Sequence, residues 1–273
     1  MLRLDPRPDY PALALLQQDR FGDSDSEAGS LEAGNSNPDY PPMMARRLKE
    51  AGFPGTGGRL LDVGCGGGNL LASVADRLGA VATGLDVSGP ALERARRRFP
   101  EHTWLRAAAE PGALPREAFD AITLIHVLEH SLAPTILLGT LGSWLRPGGI
   151  LIVEVPNGEL YFSRFYSVFL ESPKPLIGAM LRSRGRRVPF TPRGFYPYHL
   201  SLFGPGSLRA IAEKAELEVL SVEISTCRLQ WWLKESRRRR EWARYCVNRI
   251  KAALARRGLG DNLLLVARRP ASR

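Results

Sequence analysis

The chain has four histidines, and two of them fall in one short stretch, His126-Val127-Leu128-Glu129-His130. Imidazole beside carboxylate is the pairing that moves protons near neutral pH. A third lies in Tyr198-His199-Leu200-Ser201-Leu202-Phe203, and a neutral imidazole, whose reference pKa is near 6.5, could take a proton from a hydroxyl at physiological pH. His102 immediately precedes a strand pattern and reads as structural. Each histidine alone also has a bland reading, a hydrogen-bonded polar residue with no chemistry; His199 and His130 are the catalytic candidates. The stretch spells H-x-x-E-H as well, an inverted zinc-peptidase motif. That motif needs a long helix and a further ligand, whereas here it ends an apolar run, so a zinc-peptidase site is not expected; no residue is assigned to a metal, and whether a divalent ion is used near Glu129 and His130 stays open.

A second constellation joins glycines to acids: Leu60-Leu61-Asp62-Val63-Gly64-Cys65-Gly66-Gly67-Gly68-Asn69-Leu70, and further on Gly84-Leu85-Asp86-Val87-Ser88. Glycines let the main chain adopt positive φ and let a ligand lie against bare backbone. An acid at the tip of a neighbouring parallel strand can accept both hydroxyls of a ribose. A glycine turn by itself is a tight turn and no more; turn and acid together point to a nucleoside-containing cofactor. A dinucleotide fingerprint would place its third glycine where Asn69 stands. The pattern is instead D-x-G-x-G-x-G, carried by Asp62, Gly64, Gly66 and Gly68.

The elements that must position these groups follow from periodicity. Leu60 to Val63 reads as a buried strand. Leu70, Leu71, Val74, Ala75 and Leu78 recur at helical spacing and stop at Gly79. Ala80 to Ser88 is a second strand; Ser88 with Pro90 opens the next helix, whose inner face is Ala91, Leu92, Ala95 and Phe99. Thr103 to Ala107 supplies a third strand. A fourth, from Ala121 to Leu128, is apolar as a strand covered on both faces should be. Pro134 to Leu145 follows as a helix with Ile136, Leu137, Leu141 and Trp144 inward, then Ile150 to Val155 as a fifth strand. Strands alternating with helices imply a parallel sheet with right-handed crossovers. After a break, Leu208 to Ala215 is helical, and Leu217 to Ile224 and Asp261 to Arg268 are strands.

The turn resembles motif I of the class I S-adenosylmethionine (SAM) dependent methyltransferases, and Asp86 matches their ribose-binding acid. Phe119 to His130 resembles motif IV of the small-molecule branch, similar to ubiquinone-biosynthesis-type O-methyltransferases, and Leu145 to Val153 resembles the turn into the fifth strand. The resemblance implies a Rossmann-like α/β fold: a seven-stranded, mostly parallel sheet with an antiparallel edge strand and a lid insertion. It implies SAM as cofactor, held by Asp62, Gly64, Cys65, Gly66 and Gly68 along its methionine half, by Asp86 and Val87 at the ribose, and by Ala109 and Glu110 near the adenine. No aspartate occupies the usual adenine position, so Glu110 or backbone atoms must serve. His126 matches a position beside the cofactor that shapes the pocket. The implied activity is methyl transfer to an oxygen of a small or lipid-linked metabolite. Base-amine methylation would bring an N-P-P-Y type motif where Ile125-His126-Val127-Leu128 stands, so a nucleic-acid acceptor ranks second and a non-catalytic SAM-fold binding module third.

The composition, with 44% hydrophobic residues and a net charge of +10, is that of a globular chain that tolerates anionic partners without selecting one. Cys65, Cys227 and Cys246 suggest neither disulfides nor zinc. No stretch approaches the roughly 20 apolar residues of a membrane span, and a cytoplasmic protein is expected. Residues 1–58 read as an N-terminal arm, partly mobile, with a short helix, and 59–270 as the catalytic domain. Within the latter, 159–203 is expected to be a lid and 227–260 a basic helical insertion. Oligomeric state is not legible.

Overall fold

A computed structural model describes residues 2–3, 40–159, 199–225, 260 and 262–271. Most of the expected lid, the basic insertion and most of the N-terminal arm lie outside the described residues. The described chain begins with Leu2–Arg3, which pairs antiparallel with Ser201–Leu202. Helix α1 (Tyr40–Glu50) precedes the first long strand. Then come β1 (Arg59–Val63), α2 (Asn69–Leu78), β2 (Val81–Asp86), α3 (Gly89–Arg98), β3 (Thr103–Arg106) and β4 (Phe119–Ile125). A short 3-10 turn (Leu128–His130), α4 (Pro134–Trp144), β5 (Leu145–Pro156), α5 (Pro205–Lys214), β6 (Glu218–Ser225) and β7 (Asn262–Arg268) complete the order.

The seven long strands form one sheet in the order β3-β2-β1-β4-β5-β7-β6. β3, β2, β1, β4 and β5 pair in parallel, while β7 runs antiparallel to both β5 and β6. Strand order reverses between β1 and β4, the place where open α/β sheets bind ligands beyond their carboxyl ends.

Both faces of the sheet are covered, and alternation along each strand sorts the residues. Leu60, Ile150 and Ile152 pack with Met44, Leu48, Leu71 and Leu92 from α1, α2 and α3. Leu61, Leu151 and Val153 pack on the other side with Leu138 and Trp144 of α4 and Leu208 of α5. Burying each such side chain contributes about 2 kcal/mol relative to exposure. Helix ends follow local chemistry: Gly79 takes a left-handed φ of 64° and returns its N–H to Ala75, and the Ser88 hydroxyl accepts the Ala91 N–H.

Two sequence expectations need correction. The fourth strand ends at Ile125, not Leu128, because His126 has a φ of 56° that turns the chain out of the ladder. Leu128 is still fully buried, but within the 3-10 turn. In α4 the inward residues include Leu138, Leu141 and Trp144, whereas Ile136 is 63% exposed. Helical geometry puts positions 134, 138 and 141 on one side, and Ile136 falls two residues off that face.

Candidate functional site

The expected ligand turn lies at the carboxyl edge of β1, and its glycines differ in what they face. A Cβ on Gly64 would meet Val127 Cγ2 at 2.3 Å, and one on Gly68 would meet the Trp104 ring at 2.3 Å. Gly66, with φ at 53°, has no atom within 4 Å of that position. Glycine is thus required by packing at two positions and opens onto free space at the third. Gly66 N–H donates to Asp86 Oδ2 at 2.8 Å, and Ser88 N–H donates to Oδ1 at 2.8 Å. A carboxylate has about four lone-pair sites, so each Asp86 oxygen, fixed by one backbone amide, retains capacity for a ligand hydroxyl. Val87, next in sequence, is 53% exposed.

Beneath the turn, Asp62 is 4% exposed and accepts the Thr123 hydroxyl at 2.6 Å, its neighbour across the β1–β4 register. Burial is the main cause that raises its pKa from 3.8 to about 7; the Thr123 bond works against the rise and the Asp86 charge adds to it. No ion pair reaches Asp62 or Asp86 among the described residues. The Cys65 thiol is buried and its pKa is pushed up by that burial and by the charges of Asp62 and Asp86, which leaves it un-nucleophilic. Ala109 and Glu110 lie in the loop after β3, which starts with an Ala107 N–H bond to the Asp86 carbonyl at 3.2 Å. The Glu110 side chain is exposed.

Three of the histidines, His126, His130 and His199, form a cluster with buried acids. Glu129 and Glu154 are each 1% exposed. His126 stands between them, Nδ1 at 3.4 Å from Glu129 Oε1 and Nε2 at 3.4 Å from Glu154 Oε1. Burial alone would lower the His126 pKa, but the bonds to both carboxylates and their charges raise it to about 10. For Glu129, burial pushes upward, yet the His126 bond and the charges of His130, His126 and His199 outweigh it and hold the carboxyl below its ordinary value. His130 Nε2 and His199 Nε2 lie 4.0 and 3.9 Å from Glu129 Oε1, and the two rings meet tilted at 58° with centroids 5.0 Å apart. His199 is drawn in by the backbone, since Leu200 N–H donates to the Glu129 carbonyl at 2.8 Å.

One oxygen of Glu129 and one nitrogen of each of His130 and His199 lie within 4.8 Å of one another. An ion there would share Glu129 Oε1 with the His126 imidazolium, a like-charge contact in a buried place. With Nε2–Oε1 separations of 4.0 and 3.9 Å, the same three groups can also serve as a carboxylate–histidine proton relay. The cluster adjoins the glycine turn through Val127, whose side chain fills the space left by Gly64.

Glu154, Tyr40, Asn262 and Thr123 were not singled out in the sequence. The Tyr40 hydroxyl donates to Glu154 Oε2 at 2.8 Å, and Asn262 Nδ2 donates to Oε1 at 2.6 Å. One signal was available: an acid inside the apolar run Ile150 to Val155 is buried, and a buried charge requires partners.

A family model described as a methyltransferase domain matches residues 39–222. A ubiquinone biosynthesis O-methyltransferase of Xanthomonas oryzae pv. oryzae is 31% identical over 208 residues, covering 74% of this chain and 77% of that protein. The corresponding protein of Xanthomonas axonopodis pv. citri is 34% identical over 143 residues, half of this chain and 56% of that one. Among solved structures, an S-adenosylmethionine dependent methyltransferase from Mesorhizobium loti aligns with a TM-score of 0.55 at 20% identity, covering 82% of this chain and 96% of that chain.

Proposed function

The chain belongs to the class I S-adenosylmethionine-dependent methyltransferases, and on that premise we propose that it methylates an oxygen of a small or lipid-linked metabolite, with His199 or His130 accepting the proton. SAM is the cofactor. The residues present suit it: the open backbone at Gly66 can lie against the methionine half, Asp86 can accept the ribose hydroxyls, and exposed Val87 offers an apolar surface to the adenine. In this reading Asp62 orients the ammonium group through backbone amides or water. Bound SAM supplies a sulfonium methyl carbon open to in-line displacement. The chain's own contribution is alignment and exclusion of water.

The observation that carries the oxygen reading is the cluster of His130 and His199 within about 4 Å of buried Glu129. An unionised hydroxyl must lose its proton as its oxygen is methylated, and this is the case in which a base is needed. The O-methyltransferase names of the Xanthomonas relatives support the same choice. No helix among the described residues is long and apolar enough to cross a membrane.

The test is methyl transfer from labelled SAM to a panel of phenols, catechols, carboxylic acids and amines, with products identified by mass. Methyl ethers from hydroxylated acceptors, with turnover reduced in His199→Ala, are expected. Transfer to amines alone, unchanged in His199→Ala and His130→Ala, would refute the reading.

A further inference from the structure

If His130 and His199 handle the proton, His126 has no direct part in the chemistry, yet its geometry is tightly constrained. It is one of three non-glycine residues with positive φ among those described. The other two, Glu117 and Glu216, sit in exposed turns, whereas His126 stands at the sheet edge next to the glycine turn. L residues seldom adopt this conformation, and a surrounding structure must impose it. Its N–H still bonds the Glu154 carbonyl at 2.9 Å, so the turned backbone directs the ring between the two acids.

A neutral imidazole has one N–H and would present a lone pair to one of the carboxylates; only the imidazolium donates to both. The two acids it joins are held very differently. Glu154 is fixed by neutral donors from distant parts of the chain, Tyr40 on α1 and Asn262 on β7. Glu129 has no such anchor, and its Oε2 is buried without a hydrogen-bond partner among the described residues. His126 thus ties a carboxylate that lacks a neutral donor among the described residues to one held by two. The ionisable groups facing the ring are Glu129 from the 3-10 turn and Glu154 from β5, with the Tyr40 phenol from α1 behind Glu154.

We propose that His126 is a positioning residue, whose imidazolium bridges Glu129 to the anchored Glu154 and so aims Glu129 Oε1 at Nε2 of both His130 and His199. At 3.9 and 4.0 Å the carboxylate is beyond hydrogen-bond length, and it acts by its charge, which favours the proton on the facing Nε2 and leaves Nδ1 the basic nitrogen. The bridge therefore selects the tautomer of the proton-handling pair, and this step rests on the reading of that pair given above.

Four histidines make nitrogen-15 NMR tractable, each signal being assigned by single replacement. In the full chain without ligand at pH 8, His126 is expected to carry protons on both nitrogens, and His130 and His199 on Nε2. His126→Gln should mix the tautomers of both rings and lower turnover about tenfold or more, within the range of acid–base effects. Because His126→Gln leaves two buried carboxylates without a cation, it is paired with His126→Gln/Glu154→Gln, which removes one charge of each sign. The double variant should fold, and with no bridge to Glu129 it should show the same tautomer mixing. Wild-type tautomers in the folded double variant, or a singly protonated His126 at pH 8, would overturn the proposal. A methyl acceptor other than oxygen would sink the functional reading while leaving these spectra unchanged, so the two failures are distinguishable.

Discussion

Replacing Asp62 with asparagine should stabilise the ligand-free protein above neutral pH and weaken its hold on SAM. The side chain is 4% exposed, its pKa is raised from 3.8 to about 7 chiefly by burial, and it has no ion-pair partner among the described residues. An acid whose folded pKa lies above its unfolded value binds its proton more tightly in the native state. Its penalty is absent below about pH 4, grows as pH rises towards 7, and is constant above that. The gap of about three pH units, at ~1.4 kcal/mol each, amounts to ~4 kcal/mol. Asparagine keeps an oxygen to accept the Thr123 hydroxyl and cannot ionise, but burying its amide hydrogens costs about 1 to 3 kcal/mol. A net gain of about 1 to 3 kcal/mol is therefore expected at pH 8, shrinking to nothing or reversing at pH 4.

Urea unfolding of both proteins at pH 4, 6 and 8 without ligand measures the gain, and calorimetry with SAM measures the loss. A cationic ligand prefers the ionised carboxylate, so wild-type affinity should fall as pH drops from 8 to 6, with proton release on binding in that range. The asparagine variant should bind about 1 to 3 kcal/mol more weakly at pH 8, the worth of a hydrogen bond to a charged group, and its affinity should not vary with pH. An Asp62→Asn variant less stable than wild type at pH 8, or wild-type affinity flat from pH 6 to 8, would refute the reasoning.

Gly66→Ala and Gly68→Ala should separate ligand binding from packing. The first should melt within several degrees of wild type, since a left-handed φ costs a residue with a Cβ only about 1 to 2 kcal/mol, yet lose at least about tenfold in SAM affinity. The second drives a Cβ to 2.3 Å from the Trp104 ring and should show the larger drop in Tm; the reverse ranking in thermal melts counts against the geometry. Asp86→Ala should weaken SAM binding by about 1 to 3 kcal/mol in calorimetry, and it should also lower Tm because the Gly66 and Ser88 amides lose their acceptor. His199→Ala should reduce kcat with SAM affinity nearly intact, because proton removal belongs to the transition state; full activity would end its assignment as a base.

The unit from β1 through α2 to Asp86 was legible because each signal is local: an apolar run, glycines where φ turns positive, then a helical stripe closed by Gly79. What lay hidden depended on contacts distant in sequence. Gly68 read as a place for ligand approach, yet the atoms pressing on it belong to Trp104, and nothing near Gly68 announces that ring. His126 read as the interior of a strand because the apolar pattern continues to Leu128, and periodicity carries no information on the sign of φ. Glu154 was passed over within an apolar run, although a lone acid there signals a buried ion pair. Its partners Tyr40 and Asn262 are 114 and 108 residues away, beyond any local pattern.

The two halves of the site are also in opposite electrostatic states. Around Glu129 and Glu154 the chain provides its own cation, which offsets one of the two carboxylates within the fold. Around Asp62 and Asp86 it provides none: two acids meet at the glycine turn, and burial with mutual repulsion drives one of them towards protonation. A cationic ligand relieves that repulsion, and the native energy withheld from Asp62 in the free protein becomes available to binding. A ligand with both an ammonium and a sulfonium gains more from the two acids than its demethylated product, which has lost the sulfonium charge. Asp62, which weakens the free protein, and Asp86 beside it thus favour the methylated cofactor over the product that must leave.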